Sequence, residues 1–220
     1  MAGYLNDTSF AQTILLETAI NLDYSDEGLY PDEYTNTLDF NEYDKWLGNV
    51  LEYRLYRSIN RQPFSLLPIY IWDRTDDNNE PLQFIDVVTE YGHGNGRFCY
   101  YIEAQEGSIT TPYISESSFS NISCISQTPN IFIPSAFTPN GDEHNEVFHP
   151  VTDFVSEEGY SFTIYSRSGE EIFTTNNPLK GWDGTFNGNI AQDGNYVYHL
   201  QYINGVGDLT EKIDIITLVR

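Results

Sequence analysis

The sequence predicts an all-β chain folded as two β-sandwich domains in tandem. Aromatic residues make up 15% of its 220 residues, including 17 Tyr and 13 Phe, and such residues favour half-buried pleated surfaces. Short runs that alternate apolar and polar residues recur along the chain, with turn residues between them. Because a sandwich domain needs about 100 residues, the length accommodates two of them.

The first half contains a series of predicted strands separated by turns. They cover Thr13–Glu17, Leu51–Arg57, Gln83–Val88, Phe98–Ala104 and Asn121–Ile125. Between the first two lies a long acidic stretch, Asp23–Asp44, which we interpret as an extended surface insertion with a helical turn at Glu42–Leu47.

A polar, proline-bearing segment, Ser126–Asn130, predicts the boundary between domains 1–128 and 129–220. The predicted strands beyond it cover Ile131–Ile133, Glu146–Val151, Tyr160–Tyr165, Glu171–Phe173, Tyr196–Tyr202 and Ile213–Val219.

Two connections in the second half carry defined turn chemistry. Ser166–Gly169 places glycine, which adopts a positive φ without steric strain, in the turn between two strands. Asn204–Gly205 predicts a tight two-residue hairpin. In the strand before that hairpin, Tyr196, Tyr198, Leu200 and Tyr202 share one face, because strand side chains alternate.

The charge disfavours two classes of partner. The chain has 33 acidic and 10 basic residues and a formal net charge of −23, with both halves acidic. Such a surface disfavours nucleic acid and anionic lipid. The excess carboxylates serve either solubility or the binding of Ca²⁺, which prefers oxygen ligands.

No stretch approaches the roughly 20 apolar residues of a membrane helix, and the start, Met1–Asp7, lacks the features of a signal peptide.

Cys99 and Cys124 each lie in a strand-like run. A disulfide between neighbouring strands fits them better than a zinc site, and implies an oxidising compartment. Two free buried thiols are the alternative.

Four motifs follow one another in the second half. They are Ile131–Asp142 (IFIPSAFTPNGD), Ile164–Phe173 (IYSRSGEEIF), Gly181–Gly188 (GWDGTFNG) and Asp193–Tyr198 (DGNYVY), and they are followed by Ile216–Arg220. In this order the region 129–220 resembles the gliding-motility-associated C-terminal domain, the type B sorting domain of the type IX secretion system. Ser135, Glu143, Glu146 and Ser168 depart from that family's usual residues.

The first half resembles a fibronectin type III domain through its strands Tyr53–Arg57, Cys99–Ala104 and Ser120–Cys124. The two resemblances together imply tandem immunoglobulin-like or fibronectin-like sandwiches at the C-terminal end of a larger secreted protein.

The sorting-domain resemblance implies a non-catalytic secretion signal that delivers its parent, an adhesion or gliding protein, outside the cell or to its surface. The partners it implies are the outer-membrane translocon, the shuttle barrel and a PorP/SprF-family protein. The sorting residues it implies are Phe137, Thr138, Pro139, Asn140, Gly141, Asp142, Trp182, Asp183, Gly184, Gly194, Tyr196, Tyr198, Thr217, Leu218, Val219 and Arg220.

The loop after Phe137 is the most distinctive of these segments. Pro139 pre-sets a turn and Gly141 permits positive φ. One interpretation is a turn that caps its own backbone. The alternative is a Ca²⁺ site formed by Asn140, Asp142, Asn145 and Glu146, although the twelve-residue EF-hand pattern is absent.

The final strand, Ile213–Arg220, is apolar and β-branched, so it either completes its own sheet or offers an edge to a partner strand.

The sequence does not indicate an enzyme, because the four His residues are scattered and no nucleophile or phosphate-binding motif occurs. The alternative function is a surface module that binds carbohydrate or protein. Its predicted aromatic platform is Tyr24, Tyr30, Tyr34, Tyr43 and Trp46.

Overall fold

The computed structural model describes residues 14–24, 31–44, 49–75, 81–107 and 116–220. The chain divides into two compact units. The first unit holds the described residues up to Val88 together with Phe98–Ile125, and the second holds Thr89–Arg97 together with Ser126–Arg220. Within the described ranges the only helix is a three-residue 3₁₀ turn at Thr89–Tyr91. The prediction of an all-β chain is confirmed.

The first unit is built from two sheets. Its strands are β1 (Leu16–Tyr24), β2 (Pro31–Phe40), β3 (Val50–Ile59), β4 (Tyr70–Asp73), β5 (Gln83–Val87), β6 (Arg97–Glu106), β7 (Ser117–Phe119) and β8 (Ser123–Ser126). One sheet has the order β1-β2-β5 and the other β4-β3-β6-β7, with β8 also paired to β6. The pairs β1-β2, β2-β5, β3-β4, β3-β6 and β6-β7 are all antiparallel.

Alternating burial along the central strands shows that the two sheets face each other. In β6, Phe98, Tyr100, Ile102 and Ala104 are all fully buried, as the period of two along a strand requires. Across the interface the rings of Phe40 in β2 and Tyr53 in β3 lie 5.1 Å apart in an edge-to-face arrangement. These contacts make the unit a β-sandwich.

The acidic stretch predicted as a surface insertion is in fact part of this sandwich, so that prediction was wrong. Its residues form the end of β1 and the whole of β2, which lies between β1 and β5. Leu38 is 1% exposed and Phe40 8% exposed, whereas the acidic residues Glu33 and Asp39 of the same strand are exposed. The described part of the proposed helical turn, 42–44, is not helical, and 45–47 lie outside the described residues.

The second unit contains nine strands. They are β9 (Asn130–Phe132), β10 (Ala136–Phe137), β11 (Val151–Asp153), β12 (Ser161–Tyr165), β13 (Glu171–Thr175), β14 (Thr185–Phe186), β15 (Asn189–Ile190), β16 (Gly194–Ile203) and β17 (Leu209–Leu218). The main sheet has the order β10-β17-β16-β12-β13, and the pairs β9-β11 and β14-β15 are separate. Strand β10 is parallel to β17.

The core of the second unit is rich in aromatic side chains. Phe148, Phe162 and Trp182 are at most 1% exposed, and the rings of Phe137 and Trp182 lie 5.3 Å apart. Along β16 the predicted alternation is confirmed at Tyr196, Tyr198 and Leu200, which are buried. The fourth predicted position, Tyr202, is partly buried and packs against the core.

Two predicted strands, one in each unit, differ from the structure. The strand predicted at Glu146–Val151 is only an isolated bridge from Phe148 to Trp182, because the chain first crosses the core there and becomes a strand at Val151. The strand predicted at Thr13–Glu17, in the first unit, begins at Leu16, and Thr13 lies outside the described residues.

The hairpin predicted at Asn204–Gly205 is a longer turn. Five residues connect β16 to β17, and the amide of Asn204 donates to the carbonyl of Asp208. The Oδ1 atom of Asn204 accepts the amides of Val206, Gly207 and Asp208. The positive φ falls on Gly207 (104°) rather than on Gly205, because the Asn side chain closes a wider loop than the two-residue turn expected from the dipeptide.

Candidate functional site

The loop after β10 is held by its own side chains. The Asn140 Oδ1 atom accepts the amide of Asp142 at 3.0 Å, and Asp142 Oδ1 accepts the amide of His144 at 2.9 Å. The Glu146 carboxylate accepts the amide of Gly141 at 2.7 Å. Gly141 has φ +84°, as predicted. The geometry therefore favours the self-capped turn.

The Ca²⁺ interpretation of the same loop gains no support from this arrangement. The oxygens of Asn140, Asp142 and Glu146 point at the backbone amides of the loop. Across the described residues there is no group of three or more His, Cys, Asp and Glu residues able to hold a metal. The four predicted ligands, which include two amides, remain a prediction for a binding measurement.

The Gly181–Gly188 motif positions a buried tryptophan and a tight turn. The indole of Trp182 donates to the carbonyl of Thr185 at 2.8 Å, and Asp183 Oδ1 accepts both the amide and the hydroxyl of Thr185. Gly184 has φ +77°, and a Cβ atom there would lie 2.9 Å from both Arg220 and Pro139. Only glycine permits this approach of backbone to side chain.

The Asp193–Tyr198 motif continues the same end of the sheet. Trp182 and Tyr196 pack edge-to-face with ring centroids 4.8 Å apart, and the Tyr196 hydroxyl donates to the carbonyl of Gln192 at 2.6 Å. Burial raises the pKa of Tyr196, and the nearby Arg220 guanidinium opposes that rise. Tyr198 lies deeper in the core, and burial raises its pKa as well.

Arg220 joins these motifs. Its guanidinium donates to the carbonyls of Pro139 (3.3 Å), Ala191 (2.7 Å) and Gly184 (3.0 Å). It also forms an ion pair of 3.2 Å with Asp193. Charge-assisted bonds of this kind fix geometry more strongly than neutral ones. We call the five residues Pro139, Gly184, Ala191, Asp193 and Arg220 the Arg220 hub.

The end of β17 is tied to the same region by its backbone. The amide of Thr217 donates to the carbonyl of Ser135 and that of Val219 to Phe137. Leu218 is fully buried. Three segments that are far apart in sequence, the loop after β10, the tryptophan turn and the turn before β16, thus meet at one end of the second unit.

Beside the hub lies a shallow open depression of about 280 Å³. Its lining is Ser166, Arg167, Ser168, Gln192, Asp193, Gly194, Asn195 and Tyr196. Arg167 is exposed, and its guanidinium lies 3.7 Å from the place where a Cβ on Gly194 would sit. The depression is too open to enclose a small molecule.

The structure brings many of the predicted sorting residues together and separates others. Pro139, Gly184 and Arg220 are in direct contact, with Trp182 and Tyr196 packed beneath them. Phe137, Tyr198 and Leu218 are core residues, whereas Asn140, Gly141 and Asp142 are exposed. Sequence reasoning omitted Ala191 and Asp193 from the site. Asp193 carried a signal, since it opens the motif that contains Gly194.

In the first unit, Cys99 of β6 and Cys124 of β8 form a disulfide with an S–S distance of 2.09 Å. Of the predicted aromatic platform, Tyr34 is 4% exposed and belongs to the core, and Tyr43 is half-buried. The side chains of Tyr24, Tyr30 and Trp46 lie outside what the structure describes.

The described part of the chain contains no helix long and apolar enough to cross a membrane.

A different aromatic group lies on the outward face of the first unit. The rings of Tyr56 and Tyr101 stack at 4.7 Å, and Phe64 contacts Tyr101 edge-on at 4.8 Å. Phe119, 54% exposed, extends the group. Sequence reasoning missed this cluster, because its members come from different strands and a loop.

Fold and site together define a class: a β-sandwich domain whose sequence motifs gather at one end of the sheet, in a surface of loops rather than in a cleft. Residues 131–217 match the family model of the CHU_C type IX secretion signal domain. The resemblance found in the sequence is thereby confirmed for this region, and the match supports a type IX secretion signal there. Such a signal implies interaction with the secretion machinery and export from the cell.

The solved structures that align with this chain have low sequence identity and low TM-scores. One is a tetra-tandem repeat from the extending region of a large adhesion protein (11% identity, TM-score 0.35), and the match covers 94% of this chain and 50% of that one. Another is dimeric latent PorU from Porphyromonas gingivalis (9% identity, TM-score 0.26), with 93% of this chain and 20% of that one covered. The chain therefore spans half or less of either protein. No curated protein sequence matches it significantly.

Proposed function

We propose that this chain is the sorting region of a larger exported protein, and that the secretion machinery recognises the second unit in its folded form. The observation that carries the proposal is the Arg220 hub. Motifs separated by up to 81 residues are held in one surface by the side chain of Arg220. A signal read as a linear peptide would not need this assembly, whereas a signal read as a surface does.

The proposed partners are the outer-membrane components of the type IX system, including a protein of the PorP/SprF family. The recognised surface consists of the loop after β10, the tryptophan turn and the Arg220 hub. Trp182 and Tyr196 support it from below. In this proposal the first unit is a fibronectin-like spacer, and the parent protein acts in adhesion or gliding.

A transplant tests the proposal. The full chain, and separately residues 129–220, are fused to a fluorescent reporter with an ordinary periplasmic signal. Both fusions are expressed in a bacterium with an intact type IX system and in one without it, and reporter is measured outside the cells. System-dependent export supports the proposal. A folded reporter that remains in the periplasm in both strains contradicts it.

A second candidate function, a binding surface on the first unit, is favoured by one observation. The aromatic group of Tyr56, Phe64, Tyr101 and Phe119 lies on an outward sheet face, and Leu66 nearby in the chain is 98% exposed. Aromatic side chains are enriched at the centres of binding interfaces. We propose a carbohydrate or protein ligand for this face. Binding on a glycan array that is lost in Phe119→Ala and kept in Ile190→Ala would support it.

A further inference from the structure

Strand β17 has two very different edges. On one side it pairs with β16 over its whole length, from Leu209 to Leu218. On the other side it pairs with β10, and only at Thr217 and Leu218. Among the described residues, no strand pairs with this second edge between Leu209 and Ile216.

The directions of the backbone groups on the open edge follow from the bonds that are made. The amides of Thr217 and Val219 donate toward β10, to Ser135 and Phe137. Backbone groups two residues apart point the same way along a strand. The N–H and C=O groups of Glu211, Ile213 and Ile215 therefore point to the open edge, where a partner strand would find them.

The side chains along this edge are apolar and exposed. Ile213 is 65% exposed, Ile215 55% and Leu209 59%, and all three lie on the same face of the strand because they alternate. A single exposed isoleucine is ordinary on a protein surface, but a row of them beside unpaired backbone is a template for another strand.

One side chain protects the edge in the free protein. The carboxylate of Asp214 accepts the amide of Ile215 at 2.8 Å, so it occupies one outward donor. Negative charge also dominates the surroundings, since Asp208, Glu211 and Asp214 outnumber Lys212 along this hairpin. A partner strand must displace the Asp214 carboxylate, and a lysine or arginine on that strand would receive it.

We infer that the open edge of β17 between Leu209 and Ile216 is completed, during export, by an extended strand of the secretion machinery with alternate apolar side chains and at least one basic side chain. The added strand continues the line that β10 begins, and pairs with Glu211, Ile213 and Ile215. This inference rests on the proposed function and names the mode of contact, which is strand addition.

The test uses the full chain fused to the exported reporter. Ile213→Lys places a charge in the middle of the open edge. Val151→Lys and Leu179→Lys are matched controls, because those side chains are 47% and 66% exposed on the same unit but outside its main sheet. We expect Ile213→Lys to lower type IX-dependent export roughly tenfold, through lost apolar cross-strand contacts, and both controls to export like the parent chain.

A backbone variant tests the hydrogen-bonding groups of the open edge separately from its side chains. Ile213→Pro removes an amide that points outward and leaves the bonds to β16 in place. It should also lower export, while the melting temperature stays close to that of Ile213→Lys. Normal export of both Ile213 variants while the parent chain is exported overturns the inference and leaves the sorting function standing. Equal loss in the two controls overturns it as well.

Two further outcomes name other occupants. A parent chain that dimerises in sedimentation and becomes monomeric with Ile213→Lys would assign the edge to a second copy of this chain, which overturns the inference. A parent chain that is not exported at all overturns both the inference and the proposed function.

Discussion

The first unit places a charged pair inside its sandwich, whereas the second unit fills its core with aromatic and aliphatic side chains and keeps Arg220 partly exposed. In the first unit Arg57 binds both carboxylate oxygens of Asp86, at 2.6 and 2.8 Å. The Tyr100 hydroxyl donates to the same carboxylate and accepts the side-chain amide of Asn36. These residues come from both sheets, so the network ties one sheet to the other.

In the second unit the comparable long-range links are made by Arg220, whose side chain is 21% exposed. Removing one partner of a buried ion pair strongly destabilises the fold, because the remaining charge has neither a partner nor water around it. A partly exposed ion pair contributes little to stability. The long-range polar contacts of the first unit therefore hold the fold together, whereas those of the second unit arrange a surface.

The largest expected effect comes from breaking the buried network. Asp86→Ala leaves the Arg57 guanidinium without its carboxylate, so the first unit should lose about 3–5 kcal/mol of stability. The second unit should keep its own stability. Urea unfolding followed by hydrogen exchange resolved to each unit measures both quantities.

A double variant serves as the control for that change. Arg57→Met combined with Asp86→Leu removes both charges and should recover most of the loss. Equal destabilisation by the single and the double variant, or loss of protection in the second unit after Asp86→Ala, would contradict the assignment of this pair to the first unit.

Reducing the disulfide should have the next largest effect. Cys99 and Cys124 are 25 residues apart in sequence, and closing a loop of that length contributes roughly 3 kcal/mol in the chain-entropy model. The chain has 2 cysteines, both in the first unit, so only that unit should lose stability in reductant. The double variant Cys99→Ala with Cys124→Ala should start lower and no longer respond to reductant. A response in the second unit would mean that the two units unfold together.

Local elements of both units are predictable from the sequence, whereas their long-range contacts are not. The alternation of β16 and the turn glycines 141 and 169 follow from local rules, and the structure has them as expected. Strand β2 was missed because its acidic and threonine residues mask the period of two. The Arg220 hub joins residues 29, 36 and 81 positions away, and no local pattern encodes contacts at such separations.

A smaller effect is expected from the buried hydroxyl of Tyr160 in the second unit. Within the described residues this hydroxyl has no hydrogen-bond partner, and Tyr160 is 2% exposed. Tyr160→Phe removes an unsatisfied polar group, so the second unit should gain about 1 kcal/mol at neutral pH. Tyr100→Phe is the contrast in the first unit and should destabilise it, because Asp86 and Asn36 lose a partner.

The burial of Tyr160 predicts that the stability of the second unit depends on pH in the alkaline range. Burial raises the pKa of Tyr160 above that of the unfolded chain, which is about 10 for tyrosine. The folded state thus holds its proton more tightly, and the stability from this difference is complete below pH 10 and falls as the pH rises above it. Tyr160→Phe should make the second unit less sensitive to pH above 10 in thermal melts. An unchanged alkaline loss would assign that loss to other groups.

The smallest expected effect on stability is that of Arg220→Ala, and it decides what the hub is for. Its bonds are partly exposed, so the free energy of unfolding of the second unit should fall by about 1 kcal/mol or less. If the hub arranges a recognised surface, reporter export should nevertheless fall strongly, because the loops carrying Pro139 and Gly184 lose their common anchor. Arg220→Lys keeps the charge but not the planar fork that reaches several carbonyls, so export should lie between the two. Lys180→Ala is the control, a basic residue that is exposed and absent from the hub. Normal export of Arg220→Ala would mean that the motifs act separately, and the surface assembled by this side chain would lose its role in sorting.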